Sequence, residues 1–159
     1  MRNNIIHHLE DLVYLESKLL DEQRYEEWLG LLDDSFTSWI PLTHNQVDPL
    51  YEPSLLYEDR FITQLRIKRL NNSRSFSQQP RSRSQHLLQR PEIIIEENNS
   101  AANSLCQLIY TESRGEQEWS YAARLEHSFL LIGSNWKIVS KKTVLLSLGK
   151  PLDSLQLII

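Results

Sequence analysis

Apolar residues recur at helical spacing from the start of the chain. Ile5, Ile6, Leu9, Leu12, Val13, Leu19 and Leu20 fall on one side of a 3.6-residue repeat, and Glu16 falls there with them, which predicts an opening amphipathic helix. Asp21 reads as the N-cap of a second, short helix whose apolar face is Tyr25, Trp28, Leu29 and Leu32, with Asp33-Asp34 ending it. Residues 35 to 42, with Phe36, Trp39 and Ile40, form a strand stopped by Pro41. A polar loop over 43 to 54 leads to a third helix, 58 to about 70, with Phe61, Ile62, Leu65 and Arg69 on one side. Residues 71 to 80 then read as an exposed loop.

After Pro80 the period changes to two. Residues 82 to 97 form one long strand around the β-branched Ile93-Ile94-Ile95, turned by Asn98-Asn99-Ser100. The next strand, 104 to 112, places Cys106, Leu108 and Tyr110 on one face, and Arg114-Gly115-Glu116 turns it. The clearest alternation follows: Trp119, Tyr121, Ala123, Leu125, His127, Phe129 and Leu131 face one way, Ser120, Ala122, Arg124, Glu126 and Ser128 the other. Gly133-Ser134-Asn135 is a hairpin signal, and Trp136, Ile138, Ser140, Lys142, Val144, Leu146 and Leu148 make one face of the last strand. Two helices, a strand, a helix and four long strands are an α+β pattern. A strongly curved antiparallel sheet wrapped over the N-terminal helices buries both apolar faces. That is the element order of the NTF2-like, cystatin-related cone, here one domain over residues 1 to 159.

Charge alters this picture in one respect. The net charge of −4 hides a segment, 10 to 59, with 13 acids against Lys18 and Arg24, followed by a segment, 60 to 90, with 8 bases and no acid. Only Phe61 and Phe76 accompany those bases, too few for a base-stacking platform, so no nucleic-acid partner is expected. The opposed blocks suit contacts between protein surfaces, including those of further copies. A single cysteine, Cys106, excludes an internal disulfide framework and any cysteine-built cluster, and the 4 glycines form no phosphate-cradling run. No apolar run approaches the roughly 18 residues of a membrane span, so no membrane partner is expected and the location is read as cytoplasmic.

Acid–base chemistry has candidates in Asp34, His86, His127, Tyr14, Tyr110 and Tyr121, the set from which a stand-alone isomerase or dehydratase of this fold would draw. Each has a plainer reading. His127 on an apolar strand face is more often a satisfied core residue, Tyr25 and Trp28 are helix-face core, and Asp33-Asp34 is a solvated helix stop. Arg81 and Arg83 lie in the basic block and suit ion-paired subunit contacts. The histidines are His7, His8, His44, His86 and His127. A mononuclear iron site needs two converging histidines and a carboxylate, and a Rieske centre needs two cysteines besides two histidines. His7 and His8 are adjacent on a helix and diverge by about 100°. No catalytic, cofactor-binding or metal residue is therefore assigned to this chain.

Four stretches in order resemble the small (beta) subunit of bacterial aromatic-ring-hydroxylating dioxygenases. The first runs from Glu16 through Leu19-Leu20-Asp21-Glu22, Arg24-Tyr25 and Glu27-Trp28-Leu29 to Asp34 and Trp39-Ile40-Pro41. The second is Glu58-Asp59-Arg60 with Leu65-Arg66-Ile67 and Arg69-Leu70, and the third is Pro80-Arg81-Ser82-Arg83 with Gln85-His86-Leu87. The fourth is Tyr121-Ala122-Ala123-Arg124, then Trp136-Lys137-Ile138 and Val144-Leu145-Leu146. Lys141-Lys142 stands where the family more often carries arginine. The resemblance implies a non-catalytic structural subunit of an enzyme complex. Three such chains would sit beneath three large alpha subunits carrying the Rieske iron–sulfur cluster and the mononuclear iron, with electrons from NADH through a reductase. The C-terminus, Leu155-Gln156-Leu157-Ile158-Ile159, is too apolar for a free tail and is expected to pack as an extended segment at a sheet edge or on a neighbouring chain.

Overall fold

The computed structural model describes residues 1–75, 81–147 and 157–159. Helix α1 (Arg2–Asp21) follows the opening periodicity and buries Leu9, Leu12, Val13, Glu16, Ser17, Leu19 and Leu20. Asp21 is its last residue and caps nothing after it. Gln23, at φ 56, reverses the chain into α2 (Tyr25–Leu29), a five-residue helix that buries Tyr25, Trp28 and Leu29. Strand β1 (Leu32–Pro41) starts three residues before the predicted boundary, so Asp33 and Asp34 belong to a strand, and the Asp33 carboxylate accepts the Ser35 amide.

Strand β2 (Ser54–Asp59), which the loop reading missed, pairs antiparallel with β1. Helix α3 (Arg60–Ser75) follows directly and carries helix into the predicted loop, whose residues 76–80 lie outside the described ones. The sidedness of α3 is opposite to expectation. Thr63 and Ile67 are buried and Leu70 packs on the core, a narrow i, i+4, i+7 stripe, whereas Phe61, Ile62 and Leu65 are exposed. The start of the helix is anchored by Arg60, whose Nη1 donates to the carbonyls of Leu29 (3.1 Å) and Leu32 (2.7 Å).

The sheet adds β3 (Ser82–Leu88), β4 (Glu92–Ile95), β5 (Ala101–Arg114), β6 (Gln117–Ile132) and β7 (Asn135–Leu145). Its order is β2-β1-β7-β6-β5-β3, with β4 also paired to β5; all pairs are antiparallel except β1 beside β7. The predicted 82–97 strand is two strands, because Pro91 has no N–H to donate. Both halves lie along β5, β3 against 108–114 and β4 against 102–105. Gly115 (φ 64) and Gly133 (φ 63) sit in the β5–β6 and β6–β7 turns, where L side chains fit poorly.

The inward faces of β5 and of β6 as far as Phe129 match the predicted alternation, whereas Leu131, predicted inward, is exposed and β7 departs from the pattern. Ser128 pairs with Ser140 while Phe129 pairs with Ile138, so Val139 is an extra residue in β7. Beyond this bulge the inward set shifts from Trp136 and Ile138 to Lys141, Thr143 and Leu145, in place of the predicted Ser140, Lys142 and Val144. The C-terminal residues Leu157, Ile158 and Ile159 are buried within the chain itself, with Ile158 and Ile159 in the main core cluster. They need no neighbouring chain for that burial. Residues 148–156, including the rest of the predicted tail segment, lie outside the described residues.

Candidate functional site

The β7 bulge assembles an ionic cluster inside the cone. Glu16 projects from α1, Trp28 from α2, His127 and Ser104 from β6 and β5, and Lys141 from β7. Glu16 Oε1 lies 2.7 Å from His127 Nε2 and 3.1 Å from Lys141 Nζ, and Glu16 Oε2 accepts the Trp28 indole N–H at 3.0 Å. Burial pushes the Glu16 carboxyl up, but Lys141, then His127 and the hydrogen bonds from His127 and Trp28, outweigh it and hold the group below the usual carboxylate range. The carboxylate accepts, so His127 Nε2 carries a proton and Nδ1 faces the Ser104 hydroxyl at 3.2 Å. Phe129 stacks on the imidazole at 5.6 Å. Every member is at most 3% exposed. Nearby Cys106 is buried, and desolvation followed by the Glu16 charge pushes its thiol up to about 11, so it stays protonated and is a poor nucleophile.

A second polar group lies further along the inward face. Asp21 Oδ1 is 2.6 Å from His86 Nδ1 and accepts the Ser84 hydroxyl, while Oδ2 accepts the His86 amide at 2.9 Å. Burial raises the Asp21 carboxyl, and the His86 contacts more than offset it, so the net displacement is downward. The His86 ring meets Tyr110 edge-on at 4.9 Å, and Tyr110 donates to the buried Glu112 at 2.8 Å. Burial, then the Glu112 charge, holds the Tyr110 phenol far above its ordinary value, so it remains a donor.

Of the sequence candidates, His86 and Tyr110 come together, Tyr121 pairs in register with Tyr110, and His127 joins the first cluster. Asp34 and Tyr14 are exposed and stand apart from both. Glu16, Lys141, Asp21 and Glu112 were missed as site residues. Glu16 carried a signal, a carboxylate recurring within an apolar helical stripe; Lys141 carried none, because the bulge is invisible to uniform alternation. His7 and His8 lie on an exposed turn, and His44 contacts the Leu145 carbonyl at 3.0 Å. Among the described residues no group of three or more His, Cys, Asp and Glu side chains is arranged to hold a metal ion. The histidines and the lone cysteine do not fit either iron centre.

The outward face of the sheet is apolar where neighbouring strands meet. Leu87, Ile109 and Leu146 are exposed there, and with Ala122, Val144 and the rim residue Arg124 they line a groove of about 820 Å³. The basic block is partly engaged within the chain: Arg60 on backbone carbonyls, Arg66 with Glu58 at 3.4 Å and Arg90 with Glu10 at 2.9 Å. No helix among the described residues is long and apolar enough to cross a membrane.

Helices on a strongly curved sheet, with polar groups gathered inside, define an NTF2-like cone. An NTF2-like protein of cystatin-like fold from Novosphingobium aromaticivorans superposes with a TM-score of 0.60 at 13% identity, over 95% of this chain and 87% of that one. The chain belongs to the ring hydroxylating beta subunit family, whose pattern matches residues 15–148. The small oxygenase component of the p-cumate 2,3-dioxygenase system of Pseudomonas putida is 25% identical over 139 residues, which is 86% of this chain and 77% of that protein. Other relatives are matched over about half of their own length. The benzoate 1,2-dioxygenase beta subunit of Burkholderia mallei superposes with a TM-score of 0.72 at 25% identity, over 86% of this chain and 87% of that one.

Proposed function

We propose that the whole chain is one cone and serves as the platform subunit of a cytoplasmic, multicomponent aromatic-ring-hydroxylating oxygenase. It docks on a large alpha subunit that carries a Rieske cluster and a mononuclear iron, fed by NADH through a reductase. Three copies form a ring under three alpha subunits, and this chain supplies no reacting group. Family membership over residues 15–148 carries the reading. The exposed apolar side chains on α3 and on the outward sheet groove support it, since contiguous exposed apolar surface marks association. The opposed charge blocks add less than their totals suggest, because several of the arginines already have partners within the chain.

The rival reading, an isomerase or dehydratase working in the cone, is not favoured. It needs a base and a donor that a substrate can reach. His127, His86 and Tyr110 are each buried and already engaged by Glu16, Asp21 and Glu112 respectively. Co-expression with an iron-containing alpha subunit tests the proposal. We expect co-purification as a six-chain particle by sedimentation, with iron tracking the alpha subunit alone. A chain that stays monomeric beside the alpha subunit, or that holds about one iron per copy without it, overturns it.

A further inference from the structure

The loop between β1 and β2, residues 42–53, holds large apolar side chains out in water on a backbone that is tied in place. Val47, Leu50 and Tyr51 are 84%, 72% and 86% exposed. Glu52 Oε2 accepts the Val47 and Asp48 amides, each at 2.9 Å, and Asp48 Oδ1 accepts the Leu50 amide at 2.9 Å. At the base of the loop, buried Gln46 donates to the Pro53 carbonyl at 2.8 Å. Lys142, seated over the Trp39 ring, donates to the Gln46 carbonyl at 3.0 Å. Apolar side chains clustered on an ordered loop mark a contact surface, and the existing order lowers the entropic cost of using it.

The outward groove is the matching surface on the same chain. Leu87, Ile109 and Ala122 are in register across β3, β5 and β6, and the Leu146 N–H, just past β7, donates to the Ala122 carbonyl. These four residues form one apolar row over three strand spacings, about 14 Å, enough for two or three large side chains. The next row adds Gln107 and Arg124. Among the described residues no acid lines the groove, and Arg124 meets Glu126 across 3.6 Å at the surface. Loop 42–53 carries Asp48 and Glu52 and no lysine or arginine, so its charge complements Arg124. Helix α3, the other exposed apolar surface, carries Arg60, Arg66, Lys68 and Arg69 and no acid, and would meet Arg124 with like charge. His44 brings the loop to the border of its own groove, but the exposure of Val47, Leu50 and Tyr51 shows that the tip is not seated there.

We propose that loop 42–53 of one copy seats Val47, Leu50 and Tyr51 in the outward groove of a second copy, with Asp48 and Glu52 toward its Arg124. The contact is heterologous: each chain gives one loop and receives another, and such contacts close into a ring when the rotation allows. Loop and groove adjoin on one chain, so both are filled when the neighbours circle a nearby axis. The inference rests on the platform reading, which calls for three copies in a ring, and names the surfaces by which they meet.

Sedimentation of the full chain alone, across micromolar concentrations, reads the contact. The loop variant is Leu50→Ser with Tyr51→Ser, and the groove variant is Ile109→Ser with Arg124→Glu; all four side chains are exposed, so each variant should melt as the parent's monomer does. Each should weaken self-association by at least about tenfold. An equal mixture of the two should form a one-to-one dimer that cannot close, because the groove variant keeps its loop and the loop variant keeps its groove. A parent chain that stays monomeric, variants that associate as the parent does, or a mixture that stays monomeric overturns the proposal. Should either variant fail to fold, Val47→Ser or Ala122→Asp takes its place with the same outcomes. Co-expression with the alpha subunit separates the two claims. A six-chain particle that forms equally well with the loop variant keeps the platform reading and rejects this contact, whereas a parent chain that enters no such particle rejects the platform reading itself. Variants that associate normally alone but fail beside the alpha subunit would make that subunit the occupant of the groove, which also overturns the proposal.

Discussion

Replacing Lys141 with methionine keeps an unbranched apolar stem and deletes one charge. Glu16 then retains His127 and Trp28 but loses the ammonium 3.1 Å away. Two unit charges at that spacing attract by about 5 kcal/mol at an effective dielectric near 20, a gross figure against which the desolvation of the lysine is set. Removing one partner of a buried pair costs about 3–5 kcal/mol. The lower end applies here, because two hydrogen bonds still hold the carboxylate. In a chain of this length about 3 kcal/mol lowers Tm by roughly 6–12 °C. Glu16→Gln combined with Lys141→Met removes both charges and leaves an amide for Trp28, so it should lie within about 1 kcal/mol of the parent. Urea unfolding of the four chains of this cycle should give a coupling of about 2 kcal/mol or more. A single Lys141→Met cost below about 0.5 kcal/mol, or costs that simply add, would mean that the amine reaches water and that the cluster is not sealed.

Glu16 and Asp21 are both held below their ordinary values of 4.5 and 3.8, so the folded chain resists protonation that the unfolded chain accepts. Their contribution is complete above about pH 5 and is lost as pH falls, and Glu16→Gln should flatten the fall in urea midpoint between about pH 5 and 3; an unchanged slope would refute this. Cys106, pushed up to about 11, should react with a disulfide reagent at pH 8 only as fast as the chain opens. Immediate labelling of the native protein would contradict its burial. Arg60→Ala removes the donor shared by the Leu29 and Leu32 carbonyls and should cost about 1–3 kcal/mol by urea unfolding. Arg60→Lys should restore only part, since an ammonium lacks the planar fork, and full restoration would show that charge alone matters.

Most of the architecture was legible because it rests on periodicity. The stripe of α1 and the alternation of β5 and β6 are long enough for the period to dominate any single residue. What escaped depends on local backbone events. Pro91 splits one strand by removing a donor, and Val139 inserts one residue that turns Lys141 inward. The sidedness of α3 escaped because its buried stripe is narrow while its exposed side carries Phe61, Ile62 and Leu65, which composition alone assigns to a core. Helices that keep apolar side chains outward are read correctly only once a partner is in view. The interior site was half visible: His127, His86 and Tyr110 were candidates, His127 and Tyr110 on apolar strand faces, but the carboxylates that meet the two histidines lie on α1. The Glu16–His127 contact spans 111 positions, and single-sequence spacing carries no signal at that range.

The polar groups inside the cone also bear on how a platform subunit would work. Glu16 ties α1 to β6 and β7, Asp21 ties the end of α1 to β3, and Glu112 ties β5 to the C-terminus. Buried ion pairs of this kind add little net stability over well-packed apolar side chains. Their geometric demands are narrow, however: a helix that slides by one turn moves its carboxylate about 5 Å and leaves a charge unmet. The clusters therefore select one seating of α1 on the sheet, and with it one curvature of the outward face. An apolar groove on a face of fixed curvature associates without first being ordered, which lowers the entropic cost of docking. On this argument, substitutions in the sealed cluster that leave the chain folded, such as Glu16→Gln with Lys141→Met, should weaken assembly although they lie on the opposite side of the sheet from the apolar groove. Measured by sedimentation of the co-expressed complex, undiminished assembly in that double variant would separate the inner clusters from docking and leave them as packing alone.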